Sequence, residues 1–232
     1  MNIVMPMAGK GNRFINAGYL TPKMLIKVKG FPMFYWSLIS LKRHFDLSNI
    51  TFICLEEHLN STNLEKEIKH YCNNPRIIGI QKPTRGQAET VLNAVSELDL
   101  DKELLIFNCD TYFLNLNFSL NQDLDGEITV FTSNNPNYSY VKVDSNNLVK
   151  QIIEKKVISN IATIGLYYFK STRQYVKTCE YIIRKNKKSC GEYYVSNVYE
   201  ELIKQGCKIG INQVEKCYPL GSPDDKEIFE NL

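Results

Sequence analysis

Lys10, Arg13 and Lys23, set around Gly9 and Gly11 near the start of the 232-residue chain, could together grip phosphate. Hydrogen bonds to charged groups contribute roughly 1.5–3 kcal/mol each, so three cations around one concavity suit a polyphosphate far better than a neutral ligand. Gly9 and Gly11 can take positive φ and carry no Cβ, which lets an anion approach the main chain closely. Met7, Ala8 and Asn12 belong to the same turn and are expected to contact the same ligand. A surface turn with solvated lysines is the plainer alternative.

Further along, Asp110 follows the most apolar run of the chain, residues 103–107. A carboxylate at the end of a central strand, facing a triphosphate, is a natural Mg²⁺ ligand. Capping the next turn is its other use. Gln81 and Gln87 bracket the loop 82–86. Their amides carry a donor beside an acceptor, as reading a base edge requires, or they pack the loop. None of the three histidines falls near these residues, and no Ser/His or Cys/His pair is in place, which argues against hydrolases.

The elements that position these groups follow from periodicity. Residues 2–7, 51–55, 76–81 and 103–107 are apolar runs of strand length, alternating with helical patterns over 34–45, 58–72 and 87–98. That alternation predicts a doubly wound sheet, in which ligands bind beyond the carboxyl ends of the strands. Trp36 is expected to pack on the first helix, and His58 and His70 to be exposed. After Asp110, short strands over 127–132, 140–144, 149–156 and 162–169 come without intervening helices and predict added hairpins that form a second subsite. Then Ser171 and Gln174 form a capping box, Gly206 ends a further helix, and Ser222 with Pro223 opens the last one.

Composition narrows the class. Hydrophobic residues make up 44% and charged residues 23%, which is ordinary for a soluble globular protein. A net charge of +3 is too mild to argue for nucleic acid. The seven cysteines are odd in number and include no C-x-x-C pair, as expected of reduced thiols in a cytoplasmic protein. No run approaches the ~18 apolar residues of a membrane span, and a signal peptide is not expected from the first residues, where Lys10 and Arg13 interrupt the apolar stretch. Neither a nucleic acid nor a membrane is expected as a partner.

Three familiar Gly loops do not fit. A dinucleotide fold wants a third Gly where Phe14 stands. A P-loop wants four residues between its glycines, and only Lys10 separates Gly9 from Gly11. The kinase loop fails on the same third Gly and is a hairpin. What remains, Gly-x-Gly-x-Arg followed by Pro22-Lys23, resembles the nucleotidyltransferases that build nucleotide-activated sugars and alcohols. The resemblance runs through most of the chain in family order. Gln81, Gly86 and Gln87 match the turn that holds the base, and Asp110 the metal carboxylate, with Asn108 before it. Glu154-Lys155 resembles the pair in which Glu holds acceptor hydroxyls and Lys the acceptor phosphate. Ser139-Tyr140-Val141 sits where the family's loop closes over the acceptor. The stretch 164–169 with Gly165 resembles a Gly-x-Tyr-x-Phe strand, Gly191-Glu192-Tyr193-Tyr194 a Gly-Glu-Tyr/Phe stretch, and 220–225 a Gly-Thr-Pro-Glu-Asp ending.

What the resemblance implies is concrete. The fold would be α/β, a Rossmann-like, mostly parallel mixed sheet flanked by helices with a β-rich second half, the nucleotide-diphospho-sugar transferase fold. The chain would be one domain, with 1–112 binding nucleotide and 113–232 binding acceptor. Arg13, Lys23, Asp110 and Lys155 would be catalytic, with Mg²⁺ on Asp110. Asn108, Tyr140, Glu154, Lys155, Gly165 and Glu192 would hold the acceptor. The reaction would couple a nucleoside triphosphate, CTP ahead of UTP or dTTP, to a sugar 1-phosphate for a surface or capsular polysaccharide. A cytidylyltransferase acting on a phosphorylated alcohol or polyol, and a non-catalytic nucleotide sensor, are the alternatives. A homodimer is left open. Pro219 departs from the family, which often places a second metal-binding Asp there; Glu215 and Asp224 are the candidates to replace it.

Overall fold

The computed structural model describes residues 1–118 and 121–232. Its strands are β1 (Asn2–Met7), β2 (Lys27–Val28), β3 (Phe31–Pro32), β4 (Thr51–Leu55), β5 (Arg76–Ile80), β6 (Leu104–Phe107) and β7 (Thr111–Leu116), then β8 (Gly126–Thr132), β9 (Tyr140–Val143), β10 (Val149–Ile153), β11 (Ile161–Phe169) and β12 (Ile209–Pro219). The helices are α1 (Asn12–Asn16), α2 (Met33–Lys42), α3 (Glu56–Ser61), α4 (Leu64–Tyr71), α5 (Gln87–Leu92), α6 (Thr172–Arg184), α7 (Val195–Lys204) and α8 (Pro223–Glu230).

Ten strands form one sheet in the order β5-β4-β1-β6-β11-β8-β12-β7, with β9 pairing β11 and β10 pairing β9. From β5 to β6 every pairing is parallel. At β11 the direction reverses, since β11 runs antiparallel to both β6 and β8. The β6–β11 pairing is therefore the seam between the parallel and the hairpin-rich parts of the sheet. Strands β2 and β3 make a separate small ribbon.

Side chains alternate across the sheet with the two-residue strand period. Ile3, Met5 and Met7 face one side with Phe52, Cys54, Leu105 and Phe107, where α2 and α4 add Phe34, Leu38, Leu64 and Ile68. Val4, Ile53, Leu55, Leu104 and Ile106 face the other, against Ala88, Val91, Cys179, Ile182, Val198 and Leu202 from α5, α6 and α7. Both faces are covered, which is why these strands read as unbroken apolar runs. A third cluster, Phe14, Ile26, Val28, Met33, Leu220 and Phe229, ties α1, the β2–β3 ribbon and α8 together.

Several boundaries differ from the sequence reading. The helix expected over 58–72 is two, α3 and α4, because Thr62 is extended. Its hydroxyl donates to the His58 carbonyl at 2.6 Å and accepts from the Leu64 N–H, competing with the helical backbone. The α-helical part of 87–98 stops at Leu92. Strands β7 and β12 were not foreseen. His70 is exposed, but His58 is half-buried with its Nδ1 unpartnered. Trp36 packs with the third cluster and donates to the Val28 carbonyl at 2.9 Å. Ser171 and Ser222 cap α6 and α8 as expected, but the Gln174 side chain turns to Cys207 instead of closing a capping box. All seven cysteines are free; Cys54, Cys72, Cys109 and Cys179 are buried, and Cys190 is exposed. No helix among the described residues is long and apolar enough to cross a membrane.

Candidate active site

The carboxyl ends of β1, β5 and β6 open onto a single cleft of about 790 Å³ that continues across the seam to β11 and to Glu192 and Tyr194 just before α7. At one end is the loop after β1. Met7 and Ala8 are buried at its base, while Gly9 and Lys10 are exposed. Of the two glycines expected to use positive φ, only Gly11 does, at +72°. A Cβ there would stand 2.9 Å from the Lys23 Cβ, so Gly11 also lets Lys23 come close. Around Gly9 a Cβ would meet nothing within 4 Å, so Gly9 leaves open space beside the loop. Asn12 and Arg13 follow in α1, and Arg13 Nη1 lies 3.5 Å from the Gly221 carbonyl.

Lys23 reaches the floor of the cleft and donates to Asp110 Oδ2 at 2.6 Å. Their side chains are only 20% and 17% exposed, so each depends on the other for charge compensation. Burial works against the Lys23 ammonium, but Asp110, with Cys109 behind it, more than restores it, and its pKa stands above the ordinary lysine value. Asp110 Oδ2 and Asp225 Oδ2 lie 3.2 and 4.0 Å from the point where a Cβ on Gly221 would stand, and Arg13 Nη1 lies 3.6 Å from it. A glycine keeps that space clear between two carboxylates. Mg²⁺ is commonly held by one or two carboxylates, with substrate phosphates and water completing the octahedron, and this donor set fits it. No group of three or more His, Cys, Asp or Glu that could hold a metal occurs among the described residues. The Ser222 hydroxyl donates to Asp225 at 2.6 Å and fixes it. Glu215 instead accepts from Asn115 outside the cleft, and Asp224 is exposed and does not line it.

The loop 82–86, which the motif reading assigns to the base, is built around Gly86. A Cβ on it would fall 2.4 Å from the Tyr193 carbonyl oxygen. The Tyr193 N–H donates to the Arg85 carbonyl and its carbonyl accepts from Ala88, both at 2.9 Å. Gly86 lines the cleft with Gln87, whose Nε2 donates to Asn108 Oδ1. Gln81 is exposed and does not line the cleft: Ile80 turns into the core and the next residue faces solvent. Asn108 sits on the seam. Gly165, at φ +83°, lies in a bulge of β11 between Thr163 and Tyr167. A Cβ on Gly165 would stand 2.1 Å from Asn108 Nδ2, so this glycine admits the amide.

At the far end, Glu154 accepts hydroxyl hydrogen bonds from Ser139 and, at 2.8 Å, from Ser196. Burial holds its carboxyl above the ordinary range despite both hydroxyls. Lys155 donates to Tyr194 Oη at 2.5 Å. Burial lowers its ammonium, and Tyr194 and Glu154 outweigh that, so its pKa is raised. Glu192 also lines this end. Tyr140 does not: it is fully buried and its hydroxyl donates to the Asn135 carbonyl at 2.8 Å.

The family model described as Nucleotidyl transferase matches residues 2–208. The chain belongs to the nucleotidyl transferase family. It is 28% identical over 232 residues to the bifunctional protein GlmU of Methanococcus aeolicus, covering 97% of this chain and 52% of that protein. The chain thus spans about half the length of the curated relatives it matches. Among solved structures it resembles the nucleoside-diphosphate-sugar pyrophosphorylase of Vibrio cholerae, with a TM-score of 0.86 and 29% identity, covering 99% of this chain and 100% of the other. The inositol-1-phosphate CTP transferase of T. maritima shares the fold, with a TM-score of 0.79 at 16% identity, covering 99% and 93%. These neighbours bear out the nucleotide-diphospho-sugar transferase fold expected from the motifs.

Relative to the motif reading, the cleft adds Asp225 and Tyr194, and the buried Ser196 supports Glu154 from behind; of the loop placed over the acceptor it is Ser139, not Tyr140, that lines the cleft. Asp225 and Tyr194 lie inside stretches singled out in the sequence, yet nothing local marks an N-terminal helix residue as reaching a distant loop. Ser196 is on the first turn of α7, where capping alone would explain a serine.

Proposed function

We propose that this chain transfers a nucleotidyl group from a nucleoside triphosphate to the phosphate of a phosphorylated sugar and releases pyrophosphate. The observation that supports it is one cleft with two charged ends. Lys10, Arg13, Lys23 and Asp110 border one end, and Glu154 and Lys155 the other. The first end suits a triphosphate, and the second an acceptor carrying hydroxyls and a phosphate.

An acceptor phosphate oxygen forms a bond to the α-phosphorus. The bond from that phosphorus to the oxygen bridging to the β-phosphate breaks, and its electron pair leaves with pyrophosphate. The nucleophile is already an anion, so the protein has to supply position and charge neutralisation rather than a base. Lys10 and Arg13 steady the leaving phosphates, and Lys23 moves from Asp110 toward the triphosphate. Mg²⁺, held by Asp110 and Asp225, would neutralise charge on the α-phosphate. Glu154 orients the acceptor through its hydroxyls, and Lys155 holds its phosphate.

For the base, Gln87 rather than Gln81 lines the cleft, and it gives the CTP preference a physical ground. Its Nε2 gives one of its two hydrogens to Asn108, which fixes the amide with its carbonyl oxygen still open to a ligand. An acceptor matches the exocyclic amine of cytosine and opposes the carbonyl of uracil or thymine. The Tyr193 backbone packed on Gly86 limits depth, which favours a pyrimidine. A surface polysaccharide is the outlet this reading gives to the product.

A pyrophosphate-release screen of CTP, UTP, dTTP, ATP and GTP against phosphorylated sugars and polyols tests the proposal. Release with CTP and a sugar 1-phosphate is the expected result. Release only with a polyol phosphate would move the acceptor class, and nucleotide binding without release in any combination would contradict an enzyme.

A further inference from the structure

Lys155 leaves β10 with φ +51° and donates to Tyr194 Oη. That bond uses the phenol oxygen as an acceptor. The phenol's own O–H has no acceptor among the described residues, while Tyr194 lines the cleft. The residue is anchored from both sides. Its N–H donates to Asn197 Oδ1 at 2.9 Å, and the preceding Tyr193 is clamped to the base loop. A fixed phenol with a free proton, beside an ammonium, is a donor waiting for an anion.

We propose that Tyr194 is a second donor to the acceptor phosphate, holding one terminal oxygen while Lys155 holds another. A phosphate monoester presents three strong acceptor oxygens. Two are gripped, and the third stays free to attack the α-phosphorus. The proposal rests on the assignment of Lys155 to the acceptor phosphate. Burial raises the Tyr194 phenol above its ordinary pKa, and the groups facing it are Lys155, Glu192 and Glu154. At neutral pH the phenol therefore keeps its proton while Lys155 is charged. A Phe at this position retains the ring and its packing and removes only the hydroxyl.

The test is a ³¹P NMR titration with inorganic phosphate, with the triphosphate loop blocked by saturating pyrophosphate. Wild type, Tyr194→Phe, Tyr194→Leu and Lys155→Ala are compared, with folding checked by thermal melting. Wild type should bind phosphate, and Tyr194→Phe should bind it about tenfold more weakly. Tyr194→Leu should match Tyr194→Phe, because the loss lies in the hydroxyl. The alkaline limb of binding should also move to lower pH in Tyr194→Phe, since Lys155 loses the phenol oxygen that stabilises its ammonium. Lys155→Ala should abolish binding. If Lys155→Ala abolishes binding while Tyr194→Phe leaves affinity and alkaline limb unchanged, the role of Tyr194 is overturned and the acceptor assignment stands. If wild type shows no saturable binding, or Lys155→Ala retains it, the acceptor assignment itself fails.

Discussion

Asp110 has two partners in prospect, the Lys23 ammonium it holds now and the metal it would hold with nucleotide bound. Asp110→Ala should cut turnover by about a hundredfold or more, the scale of removing one preorganised electrostatic group. Steady-state pyrophosphate release at saturating Mg²⁺ measures it, and a near-normal rate would refute the assignment. Glu154 carries a different signature. Its folded pKa is raised, so its contribution to stability is fully present below the unfolded carboxyl value and is lost as pH rises through the folded one. Above that window the buried carboxylate is a burden. Glu154→Gln should therefore raise the melting temperature at neutral pH relative to wild type, an advantage that vanishes in acid, while acceptor KM rises. Calorimetric melts across pH 4–8, paired with kinetics, check both parts.

Glycines position the elements around the cleft, each for its own reason. Gly86→Ala would drive a methyl into the Tyr193 backbone, and Gly165→Ala into Asn108 at a positive φ. Each should destabilise by about 1–3 kcal/mol, the usual range for strain at such sites. Gly9→Ala should leave the melting temperature unchanged, because its Cβ meets nothing, yet weaken nucleotide binding by filling the loop's open space. Thermal melts and nucleotide titration of the three variants decide this. Much of the framework was legible in the sequence, because β1, β4 and β6 are buried on both faces and read as unbroken apolar runs. Strand β12 was not legible. Its Asn212, Gln213, Glu215 and Lys216 break any simple alternation, and its partners β7 and β8 lie far away in sequence. The break between α3 and α4 depends on one threonine side chain turning back on its helix.

Across the whole molecule, the seam between β6 and β11 sets two sets of residues on either side of one cleft. Arg13→Ala and Lys23→Ala should weaken nucleotide binding measured by calorimetry without acceptor, whereas Lys155→Ala should leave it intact and damage only the acceptor step. Loss of nucleotide binding in Lys155→Ala would contradict the division. Apart from Asp225, the charged residues of the site could be read from the chain, since their motifs are local. Which of them meet could not. Asp225 comes to the space beside Gly221 that Asp110 also borders because the third apolar cluster docks α8 beside α1, and Gln81 misses the cleft because of the face on which β5 ends. The central claim is that an acceptor phosphate oxygen attacks the α-phosphorus. It is tested most directly with an acceptor whose terminal phosphate oxygens carry ¹⁸O, with both products weighed by mass spectrometry after a single turnover. The account predicts that all of the label resides in the nucleotide-linked product, and none in pyrophosphate. Label in pyrophosphate, or a free nucleoside monophosphate with the acceptor returned unchanged, would contradict it.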